Sequence, residues 1–280
     1  MTIDSPLLGI PTSIRRLQRF GVGNFTNAQI EKKCAFIHGI MEKRMNPERP
    51  LFSVAIPAHK ETGYLLATLR SLAEQTNQNT EFIVVCNGEQ RGSPTERMAK
   101  AAGFKVISLR KGGIARARQS GLMAARGTIV VTTDADTVHL PTWMDAIAAD
   151  WKTETETPRV AGFGPVHALS PSLVYQVSSS VQNMMRSMQG RHFFFSAAEA
   201  NSWYLRSAAL SLGGYETESN YFEGSILLKK LADLGDLRCA TDKRAGVYAS
   251  DRRTISERMK AGTQYMFGIS SDRMRYAVVR

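Results

Sequence analysis

The rhythm of apolar and polar positions changes near residue 51. Upstream, Ile14-Arg15-Arg16-Leu17-Gln18-Arg19-Phe20 reads as a short basic helix capped by Thr12 or Ser13 and interrupted by Gly21 and Gly23. Asn27 is placed to cap a second helix, in which Ile30, Cys34, Ile37 and Met41 recur at spacings of four, three and four. From Phe52 onward, short apolar runs alternate with helical patterns. Strands are predicted at 52–57, 81–86, 105–109 and 128–133, and helices at 63–76, 94–102 and 114–125. That alternation predicts an α/β domain with a mostly parallel sheet flanked by helices, whose ligands bind beyond the carboxyl ends of the strands. Three of those ends carry Pro57 to Glu61, Asn87-Gly88 and Asp134-Ala135-Asp136.

The second half is less regular. Helices are predicted at 173–188 and 223–234, the latter with Ile226, Leu227, Leu228 and Leu231 before Gly235. A strand is predicted at 191–195, and a short helix within 201–212 that Gly213-Gly214 breaks.

Composition narrows the function classes. Of 280 residues, 43% are apolar and 22% charged, which suits a globular core and excludes wholesale disorder. No run of about 18 apolar residues suggests a membrane span. The start Met1-Thr2-Ile3-Asp4-Ser5 lacks a secretory pattern, so a cytoplasmic protein is expected. Cys34, Cys86 and Cys239 have no metal-ligand spacing and read as free thiols.

A net charge of +11 is compatible with nucleic acid, an anionic membrane or phosphorylated small molecules. Residues 1–50 hold eight basic and four acidic side chains, and residues 238–280 hold ten and four. The two flanks thus carry ten of the eleven excess charges. No nucleic-acid recognition motif accompanies them, so nucleic acid is not expected. An anionic membrane surface is the expected contact of the flanks.

Asp134-Ala135-Asp136 is the most informative triplet. Residues two apart on a strand lie roughly 6.6 Å apart on one face. Oxygens sharing one Mg²⁺ lie within about 4.2 Å of each other. Either the chain turns so that both carboxylates lean together, or one binds metal while the other acts through water or holds a ribose hydroxyl.

In order along the chain, residues 53–61, 84–88, 113–121, 125–127, Asp134 and Asp136, 141–144, Ala200-Asn201, Gly213-Gly214-Tyr215 and Glu223 with Leu227 and Leu231 resemble the motifs of family 2 glycosyltransferases, nucleotide-sugar enzymes of GT-A fold. The resemblance implies a GT-A domain at 51–255 with nucleotide-binding (51–145) and acceptor (146–255) halves; patterning and charge place a helical extension at 1–50 before it and a basic tail at 256–280 after it. It implies sugar transfer from a nucleotide-diphosphate donor to a hydroxyl acceptor with Mg²⁺ or Mn²⁺, usually with inversion. Donor contacts would fall on Pro57, Ala58, Glu61, Asn87, Arg118, Asp134 and Ala135, and metal ligation on Asp134 and Asp136. Acceptor-side positions would be Asn201, Trp143 and Glu199.

Arg116 and Arg118 cannot share a helical face, and Arg118 matches the family position near the nucleotide. Trp143 also reads as a packing residue at a helix start, and His139 as a packing residue or a metal ligand. Arg252-Arg253 resembles a basic pair near the donor phosphates. The family's base is often the Asp of a Glu-Asp pair; here the pair reads Glu223-Gly224. Glu223 becomes the candidate base, or a carboxylate satisfying helix-start donors, with Glu199 as second candidate. The missing aspartate and Cys86 leave a nucleotide-sugar-binding protein without catalysis as the alternative. A nucleotidyltransferase is less compatible, because no glycine-rich basic loop follows the first strand.

Overall fold

The computed structural model describes residues 10–45, 47–154, 156–170, 172–187, 199–218 and 223–250. Two helices lead in. Helix α1 (Thr12–Gly21) begins after Pro11, so Thr12 and Ser13 lie inside it. Helix α2 (Asn27–Met41) is capped one residue earlier than expected: Thr26 and Gln29 exchange side chain and backbone hydrogen bonds in a capping box. Both helices pack on the α/β body. Gly21 lets α1 approach the backbone of helix α3 (Leu65–Ala73), and Cys34 and Ile37 of α2 join the main core.

The first half alternates as its sequence predicts. Strands β1 (Phe52–Ala58), β2 (Thr80–Asn87), β3 (Lys105–Leu109) and β4 (Ile129–Thr132) are joined through α3, α4 (Pro94–Ala101) and α5 (Ile114–Ala124). β1 and β2 are buried along their whole lengths, as apolar parallel strands covered on two faces should be. Helix α3 is shorter than its pattern because its last turn gives way at Glu74.

The sheet continues into the second half. After β5 (Thr137–His139), α6 (Trp143–Lys152), β6 (Arg159–Phe163), β7 (Val166–Ala168) and α7 (Leu173–Ser187), a 3-10 turn at Glu199–Asn201 leads into β8 (Ser202–Leu205) and α8 (Arg206–Ser211). Helix α9 (Glu223–Ala232), β9 (Asp236–Cys239) and β10 (Val247–Ala249) follow. The seven-stranded order is β3-β2-β1-β4-β8-β6-β9, with β8 antiparallel to β4 and β6. The segment expected to carry a short helix thus opens with a strand, Ser-Trp-Tyr-Leu, four residues long.

A second sheet, β5-β10-β7, crosses the chain just beyond the acidic triplet. β10 pairs antiparallel with β5, Ala249 opposite Thr137, which brings Ser250 beside Asp136. The strand predicted at 191–195, the pair Arg252-Arg253 and the tail 256–280 lie outside the described residues.

Helix α7 is inverted relative to a usual surface helix. Gln176, Ser179 and Asn183 turn inward and bond the backbone of β7 and Ser170. Leu173, Val174, Val177, Val181 and Met184 face outward and are exposed. At about 100° per residue those five occupy an arc of about 100°.

Candidate active site

Helix α5 delivers the central residue. Gly121 lets α5 close onto β1, since a Cβ there would stand 2.8 Å from the Cβ of Ala55. Arg118, one turn earlier, then lies buried beneath the strand ends with its side chain 3% exposed. Its Nη2 donates to Asp134 Oδ1 at 2.9 Å and its Nε to Glu223 Oε1 at 3.2 Å. The same Nε stands 3.4 Å from Glu199 Oε2. One guanidinium thus gathers carboxylates from the β4–β5 turn, the 3-10 turn and the start of α9. Arg116, two residues away, points elsewhere and pairs with Glu218.

The electrostatics follow from burial and from the imbalance of one cation against three acids. Burial opposes the charge of Arg118, but Asp134, Glu199, Tyr215 and Glu223 outweigh it and hold the guanidinium protonated. Burial raises the Glu199 carboxyl well above the usual carboxylate range, and the neighbouring Glu223 raises it further. Burial pushes Glu223 the same way, yet the hydrogen bond from Glu199 and the charge of Arg118 bring it below its ordinary value. Glu199 and Glu223 thus perturb each other in opposite directions, Glu223 holding its charge the more readily.

The acidic triplet forms a turn after β4, closed by Thr137 N–H donating to Asp134 O at 3.2 Å. Its two carboxylates have different partners. Asp134 reaches Arg118 and is 37% exposed, whereas Asp136 Oδ2 accepts from the Ser250 hydroxyl. Ala135 is buried, and its carbonyl accepts from Thr68 Oγ1 at 2.8 Å. Ser250 carried no signal by itself; only the β10–β5 pairing brings it here.

The expected donor residues line the neighbouring strand ends, with their polar atoms engaged. Pro57 and Ala58 are buried at the end of β1. Glu61 Oε1 accepts from Tyr64 N–H at 2.8 Å before α3, and Asn87 Oδ1 from Gly113 N–H at 2.9 Å. Lys60 takes a left-handed φ of 49° in the loop between, and its N–H donates to Glu89. Cys86 packs in the core, so it does not stand in for an acid at the cleft; burial pushes its thiol up to about 12.

Two acceptor-side expectations are corrected. Trp143 and Asn201 are each 0% exposed and bond to one another, so neither presents a face to a sugar. They are packing residues: Trp143 lies among the buried positions of α6, and Asn201 is buried at the end of the 3-10 turn before β8. His139 is likewise internal, its ring tilted 40° against Trp143 at 4.3 Å and both ring nitrogens hydrogen-bonded, to Ser71 and Thr133, within the core.

Among the described residues no helix is long and apolar enough to cross a membrane. Comparison with known proteins agrees with the geometry. EpsH of Bacillus subtilis, named as a glycosyltransferase, is 31% identical over 112 residues, 39% of this chain and 33% of EpsH. The match spans about a third of that relative's length. In fold, the chain is similar to S. aureus TarS 1–349 solved with UDP-GlcNAc: TM-score 0.54, 18% identity, 72% of this chain and 59% of that one. It is equally similar to the mannosyltransferase PcManGT from Pyrobaculum calidifontis, solved with GDP-Man and Mn²⁺: TM-score 0.54, 19% identity, 85% of this chain and 73% of that one. Those similarities establish the GT-A fold. The model of "Glycosyl transferase family 2" matches residues 53–199, more than half of the sequence, and the chain belongs to that family.

Proposed function

We propose that the protein transfers a sugar from a nucleotide-diphosphate donor to a hydroxyl acceptor, with inversion and with Mg²⁺ or Mn²⁺. The observation that carries this reading is the Arg118 cluster: three carboxylates around one buried cation, at strand ends where α/β sheets bind ligands. TarS and PcManGT, which share the fold, were solved with nucleotide sugars.

The acidic turn suits a hard divalent cation. The described residues hold no group of three or more His, Cys, Asp or Glu side chains that could bind a metal. Mg²⁺ needs none, because it takes one or two carboxylates and completes its shell with water and substrate phosphates. Asp136, oriented by Ser250, would hold the ion directly, with Asp134 alongside. When bound, the ion supplies positive charge against the leaving diphosphate. Pro57, Ala58, Glu61 and Asn87 border the base and ribose in this reading. Arg118 fixes the position of Asp134 and keeps the acids together.

Equilibrium binding to a panel of UDP-, GDP- and dTDP-sugars, with and without Mn²⁺, tests the proposal. Metal-dependent binding to one of them, weakened at least tenfold by Asp136→Asn, is expected. Absence of metal-dependent binding across the panel rejects it.

For the acceptor side we infer docking at the cytoplasmic face of an anionic membrane. The outward apolar stripe of α7 and the basic excess of the flanks favour that surface, since apolar burial and cationic charge add in binding anionic lipid. Gln18 of basic α1 donates to Leu169 O, close to where α7 begins. Co-sedimentation with vesicles rich in anionic lipid should fall when Val177 and Val181 become Ser. Unchanged sedimentation counts against the membrane.

A further inference from the structure

The start of α9 poses a problem for the proposed transfer. The resemblance calls for an acid at position 224, the residue there is glycine, and Glu223 before it is poorly placed to replace it. The Glu223 side chain is 4% exposed, and its Oε1 is held by Arg118 at 3.2 Å. A base must touch the acceptor hydroxyl, and Oε1 of Glu223 is already engaged by the Arg118 Nε–H.

Glu199 has the complementary features. It arrives from the 3-10 turn before β8, 24 residues before the start of α9, and its side chain is 18% exposed. Its Oε1 accepts the Gly224 N–H at 2.6 Å. A Cβ built on Gly224 would stand 2.4 Å from Glu199 Cγ and 2.7 Å from Cδ and Oε1. Those separations are impossible for real atoms, so the Glu199 carboxyl fills the space in which any side chain at 224 would begin. Gly224 is not simply a deletion; its missing side chain is what admits Glu199.

We propose that Glu199 is the catalytic base of the transfer, its carboxylate supplied from the 3-10 turn to the place that an acid at 224 would occupy. The proposal rests on the glycosyltransferase reading. In the step, the acceptor oxygen bonds to the anomeric carbon while its proton passes to Glu199. The bond from that carbon to the phosphate oxygen breaks, and its electron pair leaves with the nucleoside diphosphate. Burial and the neighbouring Glu223, which raise the proton affinity of Glu199, make its ionised form the stronger base. Gly224 N–H and Arg118 hold the two carboxyl oxygens in place, leaving lone pairs for the hydroxyl.

The test follows nucleoside diphosphate release from UDP-GlcNAc and GDP-mannose with Mn²⁺, water serving as the acceptor, alongside donor affinity. Glu199→Gln should lower turnover at least 100-fold with donor affinity within threefold of the parent. The double variant Glu199→Gly with Gly224→Asp returns the acid to α9 and should recover at least tenfold over Glu199→Gln. Turnover by Glu199→Gln above a third of the parent's, with donor still bound, overturns the assignment and leaves the glycosyltransferase reading intact. Absence of metal-dependent donor binding by the parent removes the reading itself.

Discussion

The indole N–H of Trp143 donates to Oδ1 of Asn201 at 3.1 Å, in an interior that neither side chain leaves. Asn201 Nδ2 donates onward to Pro165 O at 2.9 Å and Ala245 O at 2.8 Å. One amide therefore ties α6, the β6–β7 connection and the 3-10 turn before β10. Asn201→Ala removes three bonds, each leaving a buried polar group at a cost of about 1–3 kcal/mol. A loss of about 3–5 kcal/mol in urea unfolding is expected; a loss under about 1 kcal/mol would show that the amide is dispensable to the fold.

His139 makes stability depend on pH. Ser71 donates its hydrogen to Thr68 O, so it accepts from Nδ1–H of His139, while Nε2 accepts from Thr133. The ring is neutral, and burial pushes its pKa down to about 3. An unfolded histidine takes up a proton near pH 6.5. The stabilisation is therefore complete above that value and is lost as pH falls from there toward 3. Between pH 6.5 and 5 the parent should lose about 2 kcal/mol that a folded His139→Asn variant does not. Parallel denaturation curves at the two pH values measure it, and equal losses would reject a neutral buried ring.

Gly21 tests how α1 is attached. Alanine is the better helix former by about 1 kcal/mol. Yet its Cβ would sit 2.2 Å from Ala67 N and 2.6 Å from Leu66 C, backbone atoms of α3 that cannot step aside. Gly21→Ala should lower the thermal midpoint and speed proteolysis near residues 10–25. A higher midpoint with unchanged proteolysis would mean that α1 does not rest on α3 this closely.

The three cysteines should separate by reactivity. Burial pushes the Cys34 thiol up to about 11 and Cys86 to about 12, so neither forms thiolate near neutrality. Cys239 is only partly enclosed. A thiol reagent at pH 8 should titrate Cys239 in the native protein and all three after denaturation. Rapid native labelling of Cys86 would contradict the packing of β2.

The sequence reveals the first half well because its strands are apolar throughout and its turns carry their own punctuation: Pro57, Asn87-Gly88, Gly113. Strand β3 matches its predicted limits residue for residue. The second half hides its strands for identifiable reasons. β6 and β9 are short, carry Arg159, Asp236 and Arg238, and pair through a bulge, so no alternating pattern survives. The run at β8 is too brief to separate from the helix that follows. At the site, single residues such as Asp134 and Arg118 stand out by motif. Their convergence with Glu199 and Glu223 depends on side chains 65 to 105 positions apart, which no spacing rule records. Trp143 misleads because a ring beside a motif invites a ligand reading, while its polar atom already has a partner inside.

β8 joins the strands contributed by the two halves of the sequence, antiparallel between β4 and β6. Each half therefore presents the other with a full edge of backbone hydrogen bonds, and neither can swing away without breaking that ladder. A clamshell closure of two rigid lobes is foreclosed by this weave. Whatever motion admits and releases reactants must come from the connections above the strand ends, while the sheet stays a fixed floor that keeps Asp134 and Glu199 in register.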